Sequence, residues 1–256
     1  MRRVVFIVGI LVSVACLVWL LLRVDWANVL TMIRRTGPAA WLLGSALYLT
    51  SFFPRALRWQ WMLKPAKTLP LAEVAGGVVL GFAANNVLPL RLGEFVRAGA
   101  ISGREKISNT TCLASIFAEK ILDGLCLLLA LFLSLHFLKI SSAPNHLLTW
   151  LANGAAVIFG GASLFVLLCL VCERQILKLI GTKISKAHGL VQKLIHAFHF
   201  LKNGRLFAAT FSLSLLVWLI EGAVFAFFLR QMNVEQAVPR GFFCLAVVNL
   251  SILVPS

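Results

Sequence analysis

Residues 85–97 read Asn-Asn-Val-Leu-Pro-Leu-Arg-Leu-Gly-Glu-Phe-Val-Arg, and they decide how this chain folds. They follow an apolar run, yet they hold two amides, a proline, two arginines and a glutamate. Pro89 has no N–H and disfavours helix at the preceding residue. Backbone freed in this way persists at membrane depth only where protein or a water-filled cavity satisfies it. Arg91, Glu94 and Arg97 lie three apart on one helical face, so the stretch predicts a broken element that lines a cavity. The alternative is an ordinary spanning helix that ends in a basic interfacial anchor.

The composition predicts the class of protein around this stretch. Apolar residues make up 60% of the chain, charged residues 13%, and the mean hydropathy is +0.93. Such a chain cannot present a polar surface on all sides. It is predicted to be an all-α polytopic membrane protein, a helical bundle that forms one domain over residues 1–256, with no separate soluble catalytic domain.

The net charge of +15 predicts contact with the membrane surface rather than with nucleic acid. The basic residues flank apolar runs, where they act as topology signals and contact anionic lipid headgroups. No soluble basic module is evident, so no nucleic-acid partner is predicted.

Hydrophobic run lengths predict the elements of the bundle. Runs of about 20 apolar residues are long enough to span a bilayer, and they occur at about 4–22, 39–57, 110–138, 147–172 and 206–229. Two shorter apolar elements occupy 71–91 and 241–256. A further stretch, 174–205, has an apolar stripe with lysines at its other positions, which predicts an amphipathic cytoplasmic element.

The distribution of lysine and arginine predicts the orientation. Loops rich in these residues remain in the cytoplasm. The basic connections 55–67, 91–106 and 173–205 fall on one side only if 71–91 enters the membrane and returns, so this element is predicted to be re-entrant and the N-terminus cytoplasmic. In this topology Arg23, Arg34 and Arg35 lie in the first external loop. The element 241–256 then starts from the outer side. Short elements that approach the midplane from opposite faces, in two inverted halves, are how many transporters build a substrate site.

A second charged cluster lies inside the run 110–138. Glu119, Lys120 and Asp123 fall within one helical turn, and intramembrane ionisable residues usually point into a bundle and pair there. The alternative is that they anchor the helix at the headgroups. Arg55 and Arg58, near the end of one span, and Glu221, within another, are secondary candidates of the same kind.

No metal site or cofactor is predicted. Cys169 and Cys172 form a C-x-x-C without a second pair, and His188, His196 and His199 have no accompanying carboxylate. There is also no Walker motif, so the chain is not expected to use ATP by itself.

The two charged motifs resemble the flippase-like membrane domain of lysylphosphatidylglycerol synthases. That family's pattern is similar to N-x-x-L-P-x-R-x-G-E-x-x-R followed by E-R-x-x-D, and here Lys120 stands where the family has arginine. The charge is kept, but bidentate pairing is lost. The family tends to carry a late S-P-G-x-x-G-x-x-E element, and this sequence ends where that element would begin, so its C-terminus is expected to be truncated. It holds no soluble aminoacyl-transferase portion, and lipid lysylation is not implied.

The resemblance implies movement of a polar-headgroup lipid, or of a lipid-linked molecule, between the leaflets of a bacterial inner membrane. Arg91 and Arg97 would hold a phosphate or another anionic headgroup, and nearby acids would balance their charge. The implied partners are membrane lipids and possible lipid-synthesis enzymes. The substrate-binding candidates are Asn85, Asn86, Arg91, Glu94, Arg97, Glu119, Lys120 and Asp123, with Arg55, Arg58 and Glu221 as secondary candidates.

Three alternatives remain open from the sequence. A membrane-embedded transferase on a lipid carrier would need Glu94 or Asp123 as a base, and no nucleophile stands beside them. A non-catalytic scaffold in a lipid-synthesis complex would dock through 174–205. The charges could also form a network that only fixes helix packing. Transport is preferred over an enzymatic activity.

Overall fold

The computed structural model of the chain describes residues 18–19, 21–88, 92–138 and 198–253, with isolated positions between 153 and 171. Every regular element in this part of the chain is helical. The helices with defined bounds are α1 (Trp26–Thr50), α2 (Phe52–Leu63), α3 (Leu71–Val87), α4 (Gly93–Glu105), α5 (Asn109–Leu138), a 3-10 turn (His199–Lys202), α6 (Gly204–Gln231) and α7 (Ala237–Leu253).

Two of these helices, α5 and α6, are long and apolar enough to cross a membrane by length and composition. They contain the predicted spans 110–138 and 206–229. Helices α3 and α7 have 17 residues each, which at 1.5 Å per residue is about 25 Å. That is shorter than the roughly 30 Å hydrocarbon core of a bilayer. Three other predicted elements lie largely outside the described residues: the spans 4–22 and 147–172 and the amphipathic element 174–205.

The predicted span 39–57 crosses the junction of α1 and α2. Asp25 caps the start of α1 by accepting a hydrogen bond from the Asn28 backbone N–H at 3.2 Å. Gly37 then adopts φ 69° and ψ 157° before Pro38, so α1 is kinked at this dipeptide. The kink arises because glycine tolerates positive φ and proline cannot donate to the preceding turn.

Helices α3 and α4 form a tight hairpin. A Cβ atom added to Gly93 would overlap the backbone oxygen of Gly81 and the side chain of Asn85, so the two backbones approach as closely as glycine allows. The Gly93 N–H donates to Asn85 Oδ1 at 2.8 Å, which satisfies one of the free donors at the start of α4. The asparagine at the end of α3 therefore fixes the beginning of α4.

The open end of this hairpin is held by two ion pairs near the surface. Lys67 Nζ lies 2.9 Å from Glu105 Oε2, and Arg104 Nη1 lies 3.2 Å from Glu73 Oε2. The start of α3 and the end of α4 are thus adjacent, next to the start of α5.

Helices α6 and α7 form a second hairpin by the same device. Gly241 of α7 packs against the backbone of Ala226, and Gly222 of α6 packs against the Phe242 ring. The start of α7 lies beside the far end of α5, because Gln236 and Arg240 share a cavity with Leu138. Helices α3 and α7 therefore begin at opposite ends of α5 and both run towards its middle.

The apolar core is divided at that middle. One part packs Trp59 and Met62 of α2 against the first half of α5 as far as Leu122. The other packs Leu245 and Leu250 of α7 against its second half. The interval between them holds Asp123, and the charged residues gather there.

Candidate functional site

A cavity of about 300 Å³ lies beside the middle of α5, and all seven helices contribute to its wall. About half of the exposed wall is polar. Its lining residues are Tyr48, Arg55, Phe82, Asn85, Asn86, Glu94, Lys120, Asp123, Leu127, Trp218, Glu221 and Asn249.

The structure divides the sequence candidates into two sets. Those that line the cavity are Asn85, Asn86, Glu94, Lys120 and Asp123, with the secondary candidates Arg55 and Glu221. Arg58, Arg97 and Glu119 lie behind the wall and are almost completely buried. Arg91 lies outside the described residues.

Arg58, Arg97, Glu119 and Asp123 form a continuous set of ion pairs that we call the buried network. The Arg58 side chain is inaccessible to solvent. Its Nη1 donates to Asp123 Oδ1 at 2.6 Å and to Ser214 Oγ at 2.8 Å, and its Nη2 lies 2.8 Å from Glu119 Oε1. This arginine ties α2 to α5 and α6.

Arg97 completes the buried network from α4. It donates from both terminal nitrogens to the two oxygens of Glu119, at 3.2 and 2.9 Å, and its guanidinium lies 3.7 Å from the centroid of the Trp59 ring. A bidentate pair that also stacks on an indole has little freedom to turn towards a ligand. Arg97 therefore positions Glu119 and the α4–α5 contact.

Arg55 is bonded differently from the other two arginines. It is 5% exposed and forms one ion pair, from Nη2 to Glu221. Its guanidinium lies between the rings of Phe82 and Trp218, at 5.0 and 5.6 Å from their centroids. The buried Nε has no acceptor among the described residues in any of the three arginines, but in Arg55 only Nη2 of the two terminal nitrogens makes a hydrogen bond there. Because guanidinium carries five N–H donors, Arg55 is the arginine of the wall that retains donors for a further acceptor.

Lys120 and Glu94 pair across the cavity mouth. Lys120 Nζ lies 2.8 Å from Glu94 Oε1, and both side chains are partly exposed. Since Glu94 and Arg97 share a face of α4, this pair and the Arg97–Glu119 pair form two successive contacts between α4 and α5.

Asp123 belongs to both the wall and the buried network. Its Oδ1 accepts hydrogen bonds from Arg58 and from Trp218 Nε1, the latter at 2.9 Å. A movement of the Asp123 carboxylate in the cavity wall would therefore alter its hydrogen bond to Arg58 in the buried network.

The three asparagines of the wall have different bonding. Asn85 accepts from Gly93, and Asn249 donates to the Leu245 carbonyl of its own helix at 2.9 Å. Asn86 lines the cavity, is exposed, and has no hydrogen-bond partner in the described part of the chain.

Sequence reasoning did not select Tyr48, Phe82, Trp218 or Asn249 as site residues. Two of them carried a weak signal, because Trp218 stands three residues before Glu221 and Asn249 is an amide within an apolar run. Tyr48 and Phe82 carried none, since an aromatic residue in a hydrophobic helix is more often a packing residue.

The charges around the cavity balance. Four cations (Arg55, Arg58, Arg97, Lys120) face four carboxylates (Glu94, Glu119, Asp123, Glu221) in the ion pairs of the described residues. Within that part of the chain no group of three His, Cys, Asp or Glu side chains is placed to hold a metal ion. The arrangement can hold a polar group by hydrogen bonds and exchangeable ion pairs.

One curated protein gives a partial match. The "Glycosyltransferase AglD" of Haloferax volcanii is 27% identical over 123 residues, which cover 48% of this chain and 20% of that protein. The aligned stretch thus spans about a fifth of that relative's length. No solved structure matches this chain significantly.

The family described as "Lysylphosphatidylglycerol synthase TM region" matches residues 6–256, nearly the whole sequence. This match confirms the resemblance carried by the two charged motifs, and together with the long apolar helices α5 and α6 it supports a membrane protein. The chain belongs to the lysylphosphatidylglycerol synthase transmembrane-region family.

Proposed function

We propose that the protein moves a lipid, or a lipid-linked molecule, with a polar headgroup between the leaflets of the cytoplasmic membrane. The observation that carries the proposal is the cavity beside the middle of α5, where charged, amide and aromatic side chains from seven helices meet. Such a group of polar side chains is expensive in a membrane unless it is paired or serves a ligand. The headgroup would occupy the cavity while its chains stay in hydrocarbon.

The proposal includes a polytopic bundle with re-entrant elements. Helices α3 and α4 are short, antiparallel and joined by ion pairs at their open end, as expected if both ends lie on one membrane side. Helix α7 approaches the cavity from the opposite end of α5. Two such elements of opposite direction, meeting at a polar cavity, are typical of transporter sites near the midplane. The N-terminus would be cytoplasmic.

Cysteine labelling tests the re-entrant hairpin. In a background without the native cysteines, Thr68→Cys and Gly103→Cys are both exposed positions, before α3 and near the end of α4. We expect an impermeant maleimide to label both from the same side of the membrane. Labelling from opposite sides contradicts the hairpin.

In this proposal Arg55 contacts the headgroup, and Arg97 acts as a positioning residue. Arg55 retains donors within the wall, whereas both terminal nitrogens of Arg97 are engaged by Glu119. Lys120 and the free amide of Asn86 would complete the contacts at the mouth. A negatively charged group of the lipid could bind Arg55 or Lys120 beside its carboxylate partner, through the N–H donors that the ion pair leaves unused.

Translocation in vesicles made from the host's own lipids tests the function. Leaflet exchange is read by chemical modification of headgroups from outside. Asn86→Ala is the diagnostic variant because Asn86 lines the cavity and makes no hydrogen bond to another described residue. Asn109→Ala, exposed at the start of α5, is the matched control. We expect exchange with wild type and the control, and a several-fold loss with Asn86→Ala. Exchange with wild type that is no faster than in protein-free vesicles contradicts the proposed function, and equal exchange by all three proteins contradicts the placement of the headgroup at Asn86.

A second candidate function is a membrane-embedded transferase acting on a lipid carrier. The relative named as a glycosyltransferase favours it, as do the three carboxylates of the wall. Such an activity would convert the lipid chemically. Mass spectrometry of the vesicle lipids after the translocation assay separates the two, because transport leaves every lipid mass unchanged.

A further inference from the structure

We propose that an apolar groove next to the cavity binds an acyl chain of the lipid whose headgroup occupies the cavity; this inference rests on the proposed function. The groove, of about 550 Å³, lies between the second half of α5, α6 and the start of α7. Its wall on α5 begins at Cys126 and ends at Phe137.

The chemistry of the groove suits hydrocarbon and not a headgroup. Its lining is almost entirely apolar. Gln236 lines it where α7 begins, and the other polar aliphatic side chain, Ser134, donates its hydroxyl to the carbonyls of Ala130 and Leu131 in its own helix, at 2.6 and 3.0 Å. A polar group placed along α5 in this groove would lose its hydration without gaining a partner.

The groove and the cavity adjoin at Trp218. This residue lines both, and its Nε1 donates to Asp123 in the cavity wall. On α5 the boundary falls between neighbouring residues, since Cys126 lines the groove and Leu127 lines the cavity. A molecule with a polar end and an apolar end fits across this boundary.

The length of the groove suits an acyl chain. Residues 126 to 137 of α5 extend over about 16 Å at 1.5 Å per residue, close to the roughly 15 Å of one leaflet of the hydrocarbon core. Since lipid chains are as apolar as the groove itself, the groove would orient the lipid rather than tighten its binding.

Photo-crosslinking tests the occupant. Cells that express the full chain are grown with a diazirine-bearing fatty acid, so that their phospholipids carry the probe, and the irradiated protein is mapped by mass spectrometry. We expect chain adducts at Leu129 and Leu133 of the groove, with adducts on the exposed α1 residues Leu42 and Leu43 as an internal standard for bulk lipid.

Groove-filling variants make the test specific. Ala130→Phe places a ring in the groove, and Leu129→Trp does so from a more exposed position if the first variant folds poorly. Ala223→Phe, exposed on α6 and outside the groove, is the control. We expect both groove variants to lower the groove adducts several-fold relative to α1 and to slow translocation, while the control does neither. Unchanged adduct ratios overturn the inference, as does a specific disulfide-linked dimer of Leu129→Cys, which would assign the groove to a second copy.

The two proposals fail in different ways. If Asn86→Ala abolishes translocation while the groove variants translocate normally, the groove inference is wrong and the function stands. If Asn86→Ala translocates like wild type, the proposed headgroup site itself is wrong.

Discussion

The charged residues beside the middle of α5 form two regions with different surroundings. In the buried network each arginine has both terminal nitrogens engaged by carboxylates. In the cavity wall, Arg55 and Lys120 each have one carboxylate partner and further donors. Neighbours in sequence fall on opposite sides of this division, as Glu119 and Lys120 do, because successive residues of a helix point about 100° apart. The first region is built to hold helices together, and the second can exchange partners.

The largest effect should come from removing the central acid of the buried network. Glu119→Ala leaves Arg58 and Arg97 without their shared carboxylate in a buried position, and breaking such a pair costs about 3–5 kcal/mol of the free energy of unfolding. Lys120→Ala, one residue later, breaks a partly exposed pair and should cost less than about 1 kcal/mol. Unfolding in mixed detergent micelles measures both. Equal losses would show that the two regions do not differ.

A smaller effect is expected at the close approach within the α3–α4 hairpin. Gly93→Ala forces a methyl group against the backbone of Gly81 and the side chain of Asn85, and overpacking of this kind costs about 1–3 kcal/mol. Gly99→Ala lies on the same helix with no atom within 4 Å of the added methyl group. It should be neutral or stabilise by up to about 1 kcal/mol. The same unfolding measurement compares them, and a Gly93→Ala variant as stable as Gly99→Ala contradicts the hairpin geometry.

Asn85 and Asn86 are adjacent in sequence, but we expect Asn85 to affect stability and Asn86 to affect translocation. Asn85→Ala removes the acceptor of the Gly93 N–H and should lower the free energy of unfolding by about 1 kcal/mol. Asn86→Ala should change it by less than about 0.5 kcal/mol and yet reduce translocation. Unfolding and translocation are measured on both variants. If Asn86→Ala were the less stable of the two, our assignment of their roles would be reversed.

The smallest effect concerns the surface ion pairs at the open end of the hairpin. Lys67→Ala breaks the exposed pair with Glu105 and should cost less than about 1 kcal/mol, an amount that salt reduces further. Lys64→Ala, exposed and without an ion pair among the described residues, is the control. Comparing unfolding at low and high ionic strength measures the difference, which should shrink in high salt; the hydrogen bond from Lys67 Nζ to the Glu105 carbonyl, at 2.9 Å, is not screened in this way.

Some of the site could be read from local spacing. Glu94 and Arg97 are three apart on one helix, and Glu119, Lys120 and Asp123 lie within one turn of another; the structure brings these two sets together between α4 and α5. What spacing could not assign was the role of each arginine. Arg97 was the expected headgroup ligand and Arg55 a secondary one, whereas Arg97 is stacked on Trp59 and paired with Glu119, and Arg55 faces the cavity. These partners are 22 to 166 residues apart in sequence, and no local pattern encodes such contacts.

The sequence by itself determined the helical class, the family, the apolar extents of α5 and α6, and the chemical types gathered at the site. These follow from composition, run length and two motifs, all of which are local properties of the chain. The tertiary structure decided which charges are buried, which face the cavity, and that an apolar groove adjoins it. The physical reason is that burial and pairing depend on side chains from separate helices meeting at Asp123, where the two parts of the core leave room for a cavity.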